Sequence, residues 1–183
     1  MCIKAFCRKI KYWIIGEYST DRLVKIGLRV GNNFVRMEGC FIDPGHCWLI
    51  TIGDGVYMGA RVHVLAHDGC TLMSLGLARI GRVTIGNHVF IGAESIILPG
   101  VTIGDYSIIG AGSVVSRSIP TNSIAVGNPA RVVGSYSDFI EKNRMLMQTR
   151  PVWDEAWTVR GGITEEQKTI MWEKLADGIG FVE

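Results

Sequence analysis

The sequence has little net charge, few cysteines and no long apolar run, and each absence excludes a class of protein. Its 183 residues carry a formal net charge of +2, so no strong field marks nucleic acid as the expected partner. Five cysteines occur without a CxxC pair, which argues against a disulfide framework or a zinc ribbon and favours a reducing, cytoplasmic location. No apolar stretch approaches the roughly 18 residues of a membrane span. The phosphate-cradling motif GxxxxGK[ST] is also absent.

The N-terminal segment, residues 1–23, combines basic residues with a short apolar run. Its apolar side chains recur at helical spacing, and they are Ile3, Phe6, Ile10, Trp13 and Ile14. We expect a short amphipathic helix that covers the end of the domain. Contact of this helix with a membrane surface is the alternative, and we do not expect it.

Glycine is abundant, with 23 residues, and it recurs in a pattern. From Ile85 the chain reads in units of six, IGNHVF, IGAESI, ILPGVT, IGDYSI, IGAGSV and VSRSIP, and the same phase begins earlier at Ile52. Each unit starts with an aliphatic residue, usually followed by glycine. A short strand and a turn fit this period, and three units complete one triangular coil of a parallel β-helix. We expect the aliphatic residues to point inward and glycine to form the corners, through positive φ or close packing.

The repeat is interrupted at one place, and a solenoid concentrates function at such interruptions. The phase set by Ile52 and Val64 predicts a unit at residue 70, but the next clean unit begins at Ile85. About fifteen residues, 70–84, are therefore inserted at one corner as a projecting loop. In this register the first three units after the loop, which begin at Ile85, Ile91 and Ile97, stack on the units that precede them by 33 residues.

Two other segments depart from the repeat. The stretch 42–50, IDPGHCWLI, does not keep the six-residue phase, so extra residues lie there. Beyond the repeat, Ser137–Gln148 and Thr164–Ala176 read as helices, the second with Thr164 and Gln167 at capping-box spacing. We expect these terminal helices to cap the open edge of the sheets. The predicted organisation is an N-terminal segment 1–23, a β-helix domain 24–134 and a helical extension 135–183.

Residues 24–134 resemble the hexapeptide-repeat acyltransferases. The resemblance rests on the hexapeptides, on RVHVLAHD before the loop and on the closing GNPARVV. It is greatest to the maltose, galactoside and xenobiotic acetyltransferases and to those of surface-polysaccharide biosynthesis. It implies a mainly β, left-handed parallel β-helix, although parallel crossovers are normally right-handed. It further implies a homotrimer, acetyl-CoA in a groove between neighbouring prisms, and transfer of acetyl to a sugar-like hydroxyl.

His67 is the preferred catalytic base, because it stands where the loop begins and imidazole accepts a proton near neutral pH. The alternative is a corner histidine bonded to backbone. Asp68 is a candidate to orient His67 or to stabilise its imidazolium. Adjacent residues of an extended chain point apart, however, and a turn-forming Asp-Gly is the alternative. His88, in the unit just after the loop, is the second candidate for the base or an acceptor ligand.

The resemblance also implies cofactor and acceptor residues. Small residues let the pantetheine arm approach the backbone, and arginine suits phosphate through its forked donors. The positions that match the family's cofactor groove are Gly92, Ala93, Ala111, Gly112, Ser116, Arg117 and Arg131. The same glycines and alanines are also what the corners of the fold require. Candidates to line the acceptor pocket are Asp43, His46, Trp48 and Phe90, the last standing where the sugar enzymes often carry tryptophan.

Other functions remain open at this point. Within acyl transfer, the acceptor can be an amino sugar or an antibiotic. A second class is a zinc hydratase similar to the γ-carbonic anhydrases, which needs three converging histidines. His63, His67 and His88 are available, but their spacing departs from that family, so no metal is expected. A third possibility is a non-catalytic trimeric scaffold.

Overall fold

A computed structural model describes residues 18–183. The amphipathic helix predicted for the N-terminal segment lies outside the described residues. The chain divides into two compact units between Tyr136 and Ser137, whereas the end of the repeat pattern predicted this division after residue 134. Within residues 18–183, no helix is long and apolar enough to span a bilayer.

The first unit consists of short strands joined by turns. It begins with helix α1 (Thr20–Lys25), which Ser19 caps by accepting a hydrogen bond from the Arg22 backbone N–H. The strands of this unit are β1 Arg29–Val30, β2 Val35–Arg36, β3 Phe41–Ile42, β4 Ile50–Ile52, β5 Tyr57–Met58, β6 His63–Val64, β7 His67–Asp68, β8 Arg79–Ile80, β9 Val83–Ile85, β10 Phe90–Ile91, β11 Ile96–Ile97, β12 Thr102–Ile103, β13 Ile108–Ile109, β14 Val114–Val115, β15 Ser123–Val126 and β16 Arg131–Ser135.

These strands visit three sheets in rotation. Sheet A contains β1, β4, β9 and β12, sheet B contains β2, β5, β10, β13 and β15, and sheet C contains β3, β6, β11 and β14. All pairings within these three sets are parallel. Strand β16 is the exception, because it folds back antiparallel on β15 and so pairs the last edge of sheet B. The predicted parallel architecture with three walls is confirmed.

The register measures the length of each coil. Phe90 pairs with Ile108, eighteen residues further on, as the six-residue period predicts. Phe90 pairs on its other side with Tyr57, 33 residues earlier, so the predicted insertion of fifteen residues is confirmed. Val35 pairs with Tyr57, 22 residues further on, so the coil that contains the irregular stretch has four extra residues.

The repeat-initial aliphatic side chains form the core, as predicted. The unit-initial residues from Ile85 onward are at most 1% exposed, and they are Ile85, Ile91, Ile97, Ile103, Ile109 and Val115. The glycine that follows them serves close packing only: none of the six, Gly53, Gly59, Gly86, Gly92, Gly104 and Gly110, has positive φ. At Gly92 a Cβ would lie 2.4 Å from the backbone nitrogen of Ala111 in the next coil. Of the two roles expected for glycine, close packing is therefore the one observed at these positions.

The second unit holds the predicted C-terminal helices. Helix α3 (Tyr136–Leu146) replaces the predicted 137–148. Helix α4 (Glu165–Lys174) begins after Thr164, and the predicted capping box between Thr164 and Gln167 is present. A parallel pair, β17 (Val152–Trp153) with β18 (Phe181–Val182), and a 3₁₀ turn at Glu155–Trp157 complete the unit. The capping of the sheets by these helices stays a prediction.

Candidate active site

The two insertions into the repeat fall on the same edge of the stacked coils. We call the turn that leaves sheet C and enters sheet A the C–A corner. The first C–A corner spans residues 43–49 and includes a 3₁₀ turn at Cys47–Leu49. The second spans 65–82. Because consecutive coils stack, these two enlarged corners lie next to each other, and hydrogen bonds from one to the other are observed below.

The second C–A corner is an antiparallel hairpin, which the sequence did not indicate. His67 pairs with Ile80 and Asp68 pairs with Arg79 across it. Its tip carries a short helix, α2 (Leu72–Leu75), which ends at Gly76 in the left-handed conformation. The tip projects into solvent, since Met73 is 98% exposed.

A buried carboxylate joins the two enlarged corners. Asp43 is fully buried, and its Oδ1 accepts a hydrogen bond of 3.0 Å from the Gly45 backbone N–H. Its Oδ2 accepts one of 3.1 Å from the Ala66 N–H and lies 2.5 Å from Nδ1 of His67. A carboxylate only accepts, so Nδ1 carries the proton and Nε2 remains the basic nitrogen. The His67 side chain is 41% exposed, so it is both anchored and accessible.

Asp43 therefore has the position that the sequence analysis gave to Asp68. The Asp68 side chain instead turns to its own chain, where Oδ1 accepts a 2.8 Å hydrogen bond from the Cys70 N–H. This hydrogen bond holds the pKa of Asp68 below its usual value. Asp68 is thus the turn-forming residue of the alternative interpretation. Asp43 appeared in the sequence analysis only as an acceptor-pocket residue, because 24 positions and two irregular corners separate it from His67.

His46 and Trp48 lie beside this pair, as two of the predicted acceptor-pocket residues. The His46 ring centroid is 4.9 Å from that of His67 and 5.3 Å from that of Trp48. Trp48 is half exposed. The Nδ1 atom of His46 is buried and has no hydrogen-bond partner among the described residues.

Asp43, His46 and His67 can also hold a metal ion. Each offers one ligand atom, and these atoms lie within 4.8 Å of one another. In the described part of the chain, this is the one group of three or more such residues that comes together. The group considered for the zinc-hydratase alternative, in which His63 and His88 join His67, does not converge.

His88 and Phe90 are placed elsewhere. His88 occupies a turn between sheets A and B at a φ of 53°, and its ring stacks on Tyr106 at 4.9 Å. This left-handed position favours asparagine or glycine, so His88 has a structural explanation. Phe90 stacks on Tyr57 on the outer face of sheet B, with ring centroids 5.7 Å apart. Within this chain neither residue joins the group around His67.

The predicted cofactor residues follow two edges of sheet C. Gly92–Ala93 and Ala111–Gly112 form consecutive turns from sheet B to sheet C, where the Gly112 N–H donates to the Ala93 carbonyl at 2.8 Å. Arg131 is exposed, and its Nη1 donates to the neighbouring Ala130 carbonyl. Ser116 and Arg117 are exposed at the opposite, C–A edge.

A cleft of about 360 Å³ lies at the base of the hairpin. It brings the predicted cofactor residue Ser116 into one cavity with Asp68, the neighbour of His67. The residues that line it are Asp68, Arg79, Ile80, Gly81, Leu98, Pro99, Gly100 and Ser116. Arg79 was not singled out from the sequence, since a lone arginine in a loop carries no motif.

Comparison with known proteins places this geometry in a family. Residues 82–117 match the family described as bacterial transferase hexapeptide (six repeats). Protein CapG of Staphylococcus aureus is 42% identical over 130 residues, which cover 68% of this chain and 75% of CapG.

Solved structures agree with this assignment. A maltose O-acetyltransferase from Clostridium difficile 630 superposes with a TM-score of 0.53 at 41% identity, covering 59% of this chain and 58% of that chain. A hexapeptide-repeat acetyltransferase from Vibrio cholerae in complex with acetyl coenzyme A superposes with a TM-score of 0.54 at 28% identity, covering 60% of each chain. The chain thus spans less than two thirds of either solved structure. It belongs to the hexapeptide-repeat acetyltransferase family.

Proposed function

We propose that this chain is an acetyl-CoA-dependent O-acetyltransferase that acetylates a hydroxyl of a sugar or polysaccharide precursor. The observation that carries the proposal is the 2.5 Å contact between Asp43 and His67. The similarity to a maltose O-acetyltransferase supports a sugar acceptor. The similarity to an enzyme solved with acetyl coenzyme A supports the co-substrate.

His67 is the general base in this mechanism. Its Nε2 takes the proton of the acceptor hydroxyl while the oxygen attacks the thioester carbon of acetyl-CoA. The tetrahedral intermediate then collapses, the carbon–sulfur bond breaks, and Nε2 donates the proton to the departing coenzyme A thiolate. Asp43 touches neither substrate and is a positioning residue. It keeps the proton of His67 on Nδ1 and stabilises the imidazolium that forms.

Both substrates are held together, so no acyl-enzyme intermediate is needed. The transfer gains from this proximity, since a bound acceptor next to a bound thioester reacts as a unimolecular system. Trp48 and His46, which lie beside His67, line the acceptor pocket. A half-exposed indole gives a sugar ring an apolar face to pack against, while the ring hydroxyls stay near the base.

Acetyl-CoA lies along the edges of sheet C. Gly92, Ala93, Ala111 and Gly112 give the pantetheine arm a wall of small residues. Ser116, Arg117 and Arg131 bind the adenosine and phosphate end. The two arginines are exposed and their guanidinium groups are suited to phosphate.

The coil is left-handed and assembles as a homotrimer. The family supports the handedness, and the outer faces of the three sheets support the assembly. Sheet A presents a polar face in Thr51, Thr84 and Thr102. Sheet B presents exposed Val35, Tyr57 and Phe90 with half-buried Ile108 and Ile124, and sheet C presents exposed Phe41 and His63 with half-buried Ile96 and Val114. Two largely apolar faces on one prism suit burial against neighbouring copies.

The direct test replaces the base. His67→Ala should lower the turnover of acetyl-CoA with a sugar acceptor by about 100-fold or more, the usual loss of a general base. Coenzyme A release is measured with a thiol reagent across a panel of sugars and nucleotide sugars. Light scattering should give about three times the 20.1 kDa chain mass for the parent and the variant.

His88→Ala is the matched control and should keep normal turnover, because the His88 ring stacks on Tyr106 and does not join the group around His67. If His88→Ala is inactive while His67→Ala has nearly normal turnover, the catalytic base is His88 and not His67. A fully active monomer would refute the trimer.

A further inference from the structure

We infer that Asp43, His46 and His67 form a binding site for one Zn²⁺ ion, and that this ion switches the transferase off. The inference rests on the proposed function for its inhibitory half only. The binding half depends on the geometry of the three side chains.

The donor set suits zinc. Zn²⁺ takes imidazole nitrogen and carboxylate oxygen in tetrahedral sites, and three protein ligands leave a fourth position for water. The ligand atoms lie within 4.8 Å of one another. Asp43 is fully buried, so its carboxylate is not one of the solvated surface acids that occur without ions.

His46 supplies the second observation that points to a ligand. Its Nδ1 is buried, and no hydrogen-bond partner lies nearby among residues 18–183. A buried polar atom without a partner costs about 1–3 kcal/mol. Neither the base nor its orienting carboxylate forms a hydrogen bond with this nitrogen. An ion bound by this nitrogen would satisfy it.

The required movement is small. Tetrahedral zinc with bonds near 2.1 Å spaces its ligands about 3.4 Å apart. The Asp43 and His67 atoms, now 2.5 Å apart, must separate by less than about 1 Å, and the His46 nitrogen must approach. Asp43 can stay in place, because the Gly45 and Ala66 N–H groups hold its carboxylate from outside the site. Both histidines belong to enlarged corners rather than to the paired walls.

Inhibition follows from the tautomer. A neutral imidazole that binds zinc through Nδ1 carries its one proton on Nε2, whereas the Asp43-bound form carries it on Nδ1. Zinc therefore moves the His67 proton to the nitrogen that must accept the proton of the acceptor hydroxyl. No proton is gained or lost in this exchange, but Nε2 is converted from an acceptor to a donor.

Binding is measured first, without any substrate. Zinc sulfate is titrated calorimetrically into the full chain carrying Cys2→Ser, Cys7→Ser and Cys70→Ser, because thiols outside the site would compete for zinc. We expect one ion per chain. His46→Phe, which keeps a ring beside His67 and Trp48, should weaken binding at least about 10-fold. His63→Phe, an exposed histidine on sheet C, is the matched control and should bind like the parent.

Visible absorption of Co²⁺ in the same protein gives an independent readout of a tetrahedral nitrogen and oxygen site. The spectrum should be lost in His46→Phe and kept in His63→Phe. Absence of saturable zinc binding, or equal binding by His46→Phe and the parent, overturns the site.

The inhibitory half is tested by mass detection of the acetylated sugar, since released coenzyme A binds zinc itself. Zinc should abolish transfer by the parent, and a chelator should restore it. Whatever transfer His46→Phe retains should be less sensitive to zinc. Zinc that accelerates transfer overturns the inference. If the chain binds zinc but transfers no acetyl group even after a chelator has removed the ion, the zinc site stands and the proposed function is refuted.

Discussion

The enlarged C–A corners and the short C–A corners differ in length and in content, although they lie along the same edge of the stacked coils. The turn at residues 98–101 keeps the six-residue phase, and the turn at 116–118 is two residues shorter, since Ile119 pairs with Ile103. Neither turn contains an inserted residue. The corners at 43–49 and 65–82 break the phase by four and fifteen residues. The enlarged pair contains Asp43, His46 and His67. The repeat thus builds walls and core, and the departures from it carry the chemistry.

The largest expected effect is a loss of stability, without a loss of turnover, when a core residue of the walls is replaced. Ile91 is fully buried between Met58 and Ile109 in neighbouring coils. Ile91→Ala should lower the free energy of unfolding by about 2–5 kcal/mol, measured by urea denaturation, while the folded fraction keeps its turnover. Leu75→Ala, at the exposed tip of the hairpin, should change it by less than about 0.5 kcal/mol. Similar losses from both substitutions would show that the hairpin belongs to the folding core.

The next effect sharpens the comparison within the enlarged corners. Asp43→Asn should lower turnover by at least about 10-fold, because an amide no longer dictates which nitrogen of His67 carries the proton. The pH profile of turnover should change shape as well, which a purely structural role would not require. Asp68→Asn is the control and should retain nearly full turnover. If Asp68→Asn has the larger effect, the orienting carboxylate is the one predicted from the sequence.

The cofactor edges should give smaller effects, because each contact is solvent-exposed. Acetyl-CoA should raise the melting temperature of the parent, since it binds the folded state. Arg117→Ala and Arg131→Ala should each reduce this shift, with a loss of about 1–2 kcal/mol in affinity per charge-assisted contact. Thermal melts with and without acetyl-CoA provide the measurement. If the shift in melting temperature is unchanged in both variants, neither arginine binds the phosphate end of acetyl-CoA.

The smallest expected effect is on the stability of the protein at acid pH, to which the Asp68 carboxylate contributes. The Cys70 N–H lowers the pKa of Asp68 in the folded protein, so the folded state holds the ionised carboxylate more tightly than the unfolded state does. This stabilisation is present above the ordinary pKa of an aspartate and is lost as pH falls through the lowered value. Asp68→Asn should therefore weaken the dependence of the melting temperature on pH in the acid range. An unchanged acid limb would show that this hydrogen bond contributes nothing measurable.

The sequence was a sufficient guide wherever the period held. Ile85, Ile91 and Ile97 could be assigned to the core and to their stacking partners before any coordinates, because a period of six leaves one register. The length of the insertion followed from the same count. The Asp43–His67 contact could not be predicted, since residues 43–49 have no phase from which a register can be counted. Only the failure of IDPGHCWLI to fit the repeat marked that segment.

The identity of the orienting carboxylate shows the same limit. Asp68 is adjacent to His67 in sequence and was the natural candidate. The local backbone, however, turns its side chain to the Cys70 N–H. A contact between stacked coils replaced it, and contacts of that kind become visible only when the lengths of both corners are known.

The register on either side of the hairpin has a consequence for how such proteins diversify. Met58 and Ile91 pair as regularly across the insertion as Ile91 and Ile109 do beyond it, so the added length strains neither wall. Closing a loop of twice the length costs only about 0.6 kcal/mol more. The stretch 69–78 is accordingly a cassette: exchanging it for another sequence should alter which acceptors reach His67 while the prism folds as before.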